Sequence, residues 1–368
     1  MVEARHDEFM NTKVLWLRER FGWMGKHSGY DQVCEAIAKQ HPGYYQSVWR
    51  QPNKSLSQPK RYLLSRLMRG NKHNPFYNIF STAAEAQVLW KSFFKRQDLV
   101  HVTYVENNLG ILPKWKHRLS FKLVGTVHQP ASWWRMMHRY PKSIAGLDAL
   151  IVCASKEIAY FEQYLPGRVF FIPHGIDIEF FSPRQETFKP SDRPRCIFSG
   201  KWLRDTQTLA QVIDKVLAQN PGIAFDAIVP TENRQDSSFF RIGRHEQVSW
   251  HSGLSDLQLR EIYQQASMLV LPLIDCTANN ALLEAVACGL PVISNQVGGL
   301  PDYTRDTFAD LLPVGDVEGM AQAILKLVDD SQEREKRSQA ARLFAEENLS
   351  WDKVAAQTLA VYQKVIDN

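Results

Sequence analysis

The stretch from Asp275 to Asp302 reads DCTANNALLEAVACGLPVISNQVGGLPD, and its reading decides the fold class. From Ala281 to Ala287 every residue is apolar except Glu284, so the segment predicts a helix buried on nearly all its faces. Cys288, Gly289 and Pro291 stop that helix, with glycine as C-terminal cap and proline beyond it. A strand, Val292 to Ser294, follows at once.

Working outward, short β-rich apolar runs alternate with helical patterns, which predicts a parallel sheet wrapped by helices. Upstream the strands read as Val14 to Leu17, Leu99 to Val105, Leu123 to Val127, Ala149 to Cys153 and Val169 to Ile172. A second series reads as Cys196 to Ser199, Ala224 to Val229, Met268 to Leu271, Val292 to Ser294 and Asp310 to Val314. The chain has 368 residues, 44% of them hydrophobic, enough for two cores. The expected organisation is an N-terminal Rossmann-like domain over 1–181 and a linker over 182–194 (SPRQETFKPSDRP within it), then a C-terminal Rossmann-like domain over 195–347. A last helix over 348–368 is expected to cross back onto the first domain.

Composition excludes several classes. No apolar stretch of signal-peptide length follows Glu3, Arg5, Asp7 and Glu8. The longest apolar run, Met268 to Ile274, contains Pro272 and is far short of the roughly 20 residues of a membrane span. Cys34, Cys153, Cys196, Cys276 and Cys288 are scattered, with no metal-ligand or redox spacing, so a reducing cytoplasmic setting without structural zinc is expected. Residues 1–175 hold 25 Lys and Arg against 12 Asp and Glu, a balance of +13, and the remainder holds 19 against 27, a balance of −8. The basic half suggests an anionic partner: lipid headgroups, a phosphorylated acceptor or nucleic acid.

The buried helix carries the first chemistry. A carboxylate inside it needs hydrogen-bond donors, and a ribose diol offers two, although an arginine neighbour would serve equally. The start of the helix, Thr277 to Asn280, presents free backbone N–H groups and a positive dipole end that suit a diphosphate. In the first half, RFGWMGKHSGYD (Arg20 to Asp31) places Gly22, Gly25 and Gly29 between a strand and a helix, where the backbone approaches phosphate closely. His128 ends its strand in GTVHQP, at the carboxyl edge where open parallel sheets bind ligands. Asp177-Ile178-Glu179 is read as structural. Pro59 to Arg69, PKRYLLSRLMR, forms a short basic amphipathic helix that fits either a membrane surface or ordinary packing.

Segments in order along the chain resemble the retaining family 4 glycosyltransferases, which have the GT-B fold of two Rossmann-like domains facing an interdomain cleft. The hallmark of that family, a Glu, seven residues and a Glu in an "LLEAMACGLPVV" helix followed by "VGG", resembles Asp275 to Asp302. DALIVCASKEIAYFEQYLPGRVFFIPHGIDIEFFSP (Asp148 to Pro183), CIFSGKWLRD (Cys196 to Asp205) and VSWHSGLSDLQLREIYQQASMLVLPL (Val248 to Leu273) resemble its other passages. Ser28 and Gly29 stand at its "GG" loop. At its first Glu this chain has Cys276 with Asp275 adjacent, and in place of its "GR … KG" cations it has Lys201, following Gly200, and Arg204.

The resemblance implies transfer of a sugar from a nucleotide diphosphate sugar with retained configuration, without metal or other cofactor. His128, Lys201 and Arg204 are the expected catalytic residues. Gly25, Ser28, Gly29, Gly200, Asp275, Cys276, Asn279, Asn280, Ala281 and Glu284 are expected to line the donor. The acceptor is expected to be a lipid, a glycan or another anionic molecule, with peripheral contact to the cytoplasmic membrane face and no nucleic acid. An epimerase or sugar phosphorylase on the same fold, or a catalytically idle homologue, is the alternative.

Overall fold

A computed structural model describes residues 12–367 apart from 23, 42, 52–54, 70–73, 75, 138–141 and 185–192. The chain forms two compact units. The first runs to Met24, from Gly29 to His174, and from Trp351 onward; the second comprises Gly25–Ser28 and Gly175–Ser350. Most of the proline-bearing stretch 182–194 lies outside the described residues.

The first unit is built on six strands: β1 (Lys13–Arg18), β2 (Tyr44–Trp49), β3 (Leu99–Val102), β4 (Lys122–Val127), β5 (Ala149–Val152) and β6 (Val169–Phe171). Their order is β2-β1-β3-β4-β5-β6, every neighbour parallel. β1, β3, β4 and β5 are apolar on both faces because helices cover both, and Leu15, Leu17, Val100, Leu123 and Leu150 join the core. β2 escapes the sequence pattern: it is an edge strand, YYQSVW, with Val48 its one buried residue. The last helix, Trp351–Ile366, belongs to this unit and packs against the helix Gln32–Gln40. Its Tyr362 hydroxyl accepts a bond from Trp16 Nε1 at 3.2 Å and meets His101 Nδ1 at 2.5 Å.

The second unit carries β7 (Arg195–Ser199), β8 (Ala224–Ile228), β9 (Val248–His251), β10 (Met268–Leu271), β11 (Val292–Asn295) and β12 (Ala309–Leu312). Their order is β12-β11-β10-β7-β8-β9, again parallel throughout. This is the doubly wound pattern in which the winding reverses between β7 and β10. β9 is the second strand the sequence pattern does not show, an edge strand with no fully buried residue. Asn280–Ala287 is the central helix, with Ala281 through Ala287 all buried. Ile176 and Phe181 pack into this core, which draws the passage after His174 into the second unit.

Gly298 shows how tightly the following loop is held. Its φ is +52°, and a Cβ there would lie 2.0 Å from the Cys276 carbonyl oxygen. Gly298→Ala is therefore expected to cost about 2–4 kcal/mol through strain and backbone overlap. Urea denaturation measures it; an unchanged midpoint would mean that residues 275 and 276 move aside without cost.

Candidate functional site

The loops after β7 and β10 leave adjacent strands at the point where the second sheet reverses, the position where doubly wound sheets hold ligands. They are tied together by backbone bonds from Ile274 N to Leu203 O (3.1 Å) and from Asp205 N to Pro272 O (3.0 Å). Gly200, at φ +86°, turns the chain out of β7 so closely that a Cβ would sit 2.9 Å from Arg204 Nη2. Arg204 then donates from Nε to Ser199 O (2.9 Å), from Nη1 to Trp202 O (2.9 Å) and from Nη2 to Asn279 Oδ1 (3.1 Å). Burial lowers its pKa to about 10, with Cys276, Tyr263 and Glu284 opposing that shift, so it remains cationic at neutral pH. Lys201 is exposed on the same loop.

Asn279 is the N-cap of helix 280–287, accepting from Leu282 N as well as from Arg204. One amide thus joins the cationic loop to the positive end of a helix, a combination suited to an anion. Asn280 is half-buried at the first helical position and Ala281 is buried behind it. Asp275 is half-buried, and its Oδ1 accepts from Cys276 N at 2.8 Å. Cys276 is buried, and burial pushes its thiol up to about 12, so it stays protonated. Of the two side chains, Asp275 is the one with solvent access.

Glu284 lies one turn into the helix, 6% exposed. Burial raises its pKa to about 7, opposed first by the bond from Ser28 Oγ, which donates to Oε1 at 2.7 Å. A ribose hydroxyl binding Oε1 would take the place of a hydroxyl that is already there. Ser28 is held by its own short segment: Lys26 N donates to Asp256 Oδ2 at 2.9 Å, and His27 meets Asp177 Oδ2 at 2.7 Å while stacking on Phe180. Gly25 serves that approach, since a Cβ would fall 2.1 Å from Asp256 Oδ1. Arg204, Asn279, Gly200, Glu284 and Ser28 are thus gathered in one unit.

In the first unit, Gly29 precedes helix 32–40, and a Cβ there would lie 2.6 Å from Asp31 Oδ1. The Asp31 carboxylate is bound by Arg20 at 2.6 Å and Arg18 at 3.3 Å. His128 leaves β4 with Nε2 bonded to Thr103 O at 2.9 Å, which makes Nε2 the protonated nitrogen, and with Nδ1 3.9 Å from Cys153 Sγ. Burial, with His174 as a like charge, lowers its pKa to about 3, so the ring is neutral.

Sequence reasoning missed the carboxylates beside it. Glu106, just past β3, accepts from the backbone N–H of His128 and Gln129, and burial raises its pKa to about 7. Its Oε2 is buried without a hydrogen-bond partner among the described residues. Glu19, just past β1, is buried with Arg50 and accepts from Asn108 Nδ2 at 2.7 Å. β1 and β3 are the strands at which the first sheet reverses; Glu19 follows β1 at once and Glu106 lies in the short helix after β3, a placement that only the observed strand order turns into a signal. Among the described residues no three His, Cys, Asp or Glu gather in a metal-holding group.

Comparison with known proteins agrees with this architecture. Residues 43–180 match the model of Glycosyltransferase Family 4 and residues 193–330 that of Glycosyl transferases group 1, about three quarters of the chain together. Similar curated proteins include MMP alpha-(1->4)-mannosyltransferase of Mycolicibacterium hassiacum, 25% identical over 68% of this chain and 67% of that one. Alpha-maltose-1-phosphate synthase of Mycobacterium tuberculosis is 28% identical over 73% of this chain and 74% of its own. D-inositol 3-phosphate glycosyltransferase of Thermobifida fusca is 26% identical over 61% of this chain, and the match spans 56% of that protein's length. Among solved structures, sucrose-phosphate synthase of Thermosynechococcus elongatus superposes with a TM-score of 0.71 at 18% identity, over 96% of this chain and 99% of that one. Anabaena HepE in complex with UDP does so at 0.68 and 15%, over 96% and 100%. With two parallel doubly wound sheets and both family models matched in order, the chain belongs to the group 1, family 4 glycosyltransferases and has the GT-B fold.

Proposed function

We propose that this protein transfers a sugar from a nucleotide diphosphate sugar to an acceptor hydroxyl, with retained anomeric configuration and no metal ion. The observation that carries the reading is the joining of Arg204, the Asn279 cap and the buried Glu284 at the reversal of the second sheet. Glu284 accepts the ribose hydroxyls, displacing Ser28. Arg204, Lys201 and the backbone N–H groups of Asn280 and Ala281 hold the diphosphate, on which negative charge grows as the sugar becomes oxocarbenium-like. Asp275, reachable from solvent where Cys276 is buried, takes hydroxyls of the transferred sugar. The acceptor hydroxyl gives its proton to the departing phosphate.

The HepE structures, solved with UDP and with UDP-glucose, support a nucleotide-sugar donor. The +13 balance over residues 1–175 favours an anionic acceptor, and relatives whose names carry a sugar or inositol phosphate are in keeping with that choice. Five free, buried cysteines suit a reducing cytoplasmic setting. Among the described residues no helix is long and apolar enough to cross a membrane.

The test is slow hydrolysis of a panel of nucleotide sugars in excess chelator, read as free nucleoside diphosphate. One donor is expected to turn over without added metal or inorganic phosphate. An obligatory divalent ion would overturn the mechanism. A requirement for phosphate would identify a phosphorylase, and a product epimer without nucleotide release an epimerase. Binding without turnover of any donor, with or without acceptor, would mark an idle homologue.

A further inference from the structure

The helices Gln58–Met68 and Ile79–Phe94 of the first unit pack against each other and leave a large apolar surface that no other described residue covers. Between them is a groove of about 340 Å³ whose walls include Leu63, Leu64, Phe80 and Trp90, with Lys60 at its rim. In helix 58–68 only Leu64 turns fully inward, and Leu63 remains 60% exposed. Trp90, Phe93 and Phe94 are 67%, 72% and 66% exposed, and their rings touch in series: Trp90 to Phe94 at 4.6 Å, Phe94 to Phe93 at 5.3 Å. Leu63 and Trp90 meet at the groove, so the exposed surface is one patch rather than scattered side chains.

The charge around it has one sign. Lys60, Arg61 and Arg66 on the first helix, and Lys95 and Arg96 directly after the second, are all exposed. Between residues 36 and 97 the chain has a single acidic residue, Glu85. That carboxylate is turned inward, accepting from Tyr77 Oη at 2.5 Å and from Gly110 N at 2.8 Å. A second copy of the chain is a poor occupant, because an isologous contact would set this basic rim against itself. Bulky aromatics flanked by Lys and Arg, on two helices whose one acid is turned inward, match the boundary between anionic headgroups and acyl chains.

We propose that this face seats the protein on the surface of an anionic lipid leaflet. Leu63, Trp90, Phe93 and Phe94 enter the acyl-chain boundary, and Lys60, Arg61, Arg66, Lys95 and Arg96 meet the headgroups. This goes beyond the transferase reading and does not depend on it: the ribose and diphosphate contacts proposed above lie in the other unit, and the seat brings the basic half to lipid.

Cosedimentation of the full chain with phosphatidylglycerol and phosphatidylcholine vesicles tests it. Association with the anionic vesicles is expected at low salt and should be largely lost at 1 M salt, where charges reach only about 3 Å. Each cation removed in the variant Lys60→Gln/Arg61→Gln/Arg66→Gln should weaken anionic binding about fivefold. Trp90→Ser/Phe93→Ser/Phe94→Ser should abolish the part of binding that survives high salt. Circular dichroism melting and calorimetric nucleotide binding, both expected unchanged, show that the variants fold and keep the two proposals separable. No preference for anionic over neutral vesicles at low salt would overturn the inference. So would an unaffected charge variant, or a wild-type dimer that the aromatic variant converts to monomer without change in vesicle binding.

Discussion

Arg204→Met is expected to lower donor turnover about 10²- to 10³-fold, about 3–4 kcal/mol of transition-state stabilisation, with a much smaller change in KM. Arg204 is fastened by three acceptors, Ser199 O, Trp202 O and Asn279 Oδ1, so its charge needs no reorganisation as the diphosphate departs. Its neighbours keep it cationic although burial pulls its pKa down to about 10. Methionine removes the charge and strands those acceptors, so Arg204→Lys is the necessary companion: it restores the charge without the planar fork and should recover part of the rate. Lys201→Met, at an exposed position, should cost about tenfold or less, because solvent screens its charge. Steady-state kinetics on folded variants decides the matter. Turnover of Arg204→Met within threefold of wild type would mean that another group carries the leaving charge.

The central strands were legible because burial on both faces writes continuous apolar runs into β1, β3, β4, β5 and their counterparts in the second sheet. The two missed strands, YYQSVW and VSWH, are edges. An edge strand has one neighbour and partial burial, so its sequence is held neither to a solid apolar run nor to clean alternation. The first sheet's reversal between β1 and β3 therefore could not be read, because it depends on β2 lying outside β1.

For the site, the sequence showed what is encoded within a few residues: an acid inside an apolar helix, the start of that helix, a cation after a strand. Contacts distant in sequence were not visible. Ser28 and Glu284 are 256 positions apart, and Arg204 and Asn279 are 75. Glu106 and Glu19 carry no local mark in the sequence, and only the packed fold shows both desolvated by burial.

Glu284→Gln is expected to weaken nucleotide binding by about 1.5–3 kcal/mol, roughly 10- to 150-fold, since glutamine keeps the shape but surrenders the charge-assisted bonds to two hydroxyls. The pH dependence sharpens the test. Folding raises the Glu284 pKa from 4.5 to about 7 through burial. Between those values the folded chain holds the extra proton, so the contribution of Glu284 to stability is fully present below pH 4.5 and is lost as pH rises through about 7. Glutamine removes that slope while still accepting from Ser28. Relative to wild type the variant should therefore gain on the order of 1–3 kcal/mol of stability at pH 8, and the gap should close toward pH 4.5. Wild-type nucleotide affinity should fall as pH drops below about 7 and Glu284 takes up its proton, while the affinity of the variant stays flat. A residue kept only for packing would not show tighter folding and weaker binding from one isosteric change. Calorimetry and denaturation at pH 5 and 8 measure both effects, and a folded variant with unchanged affinity at pH 8 would return Glu284 to a structural role.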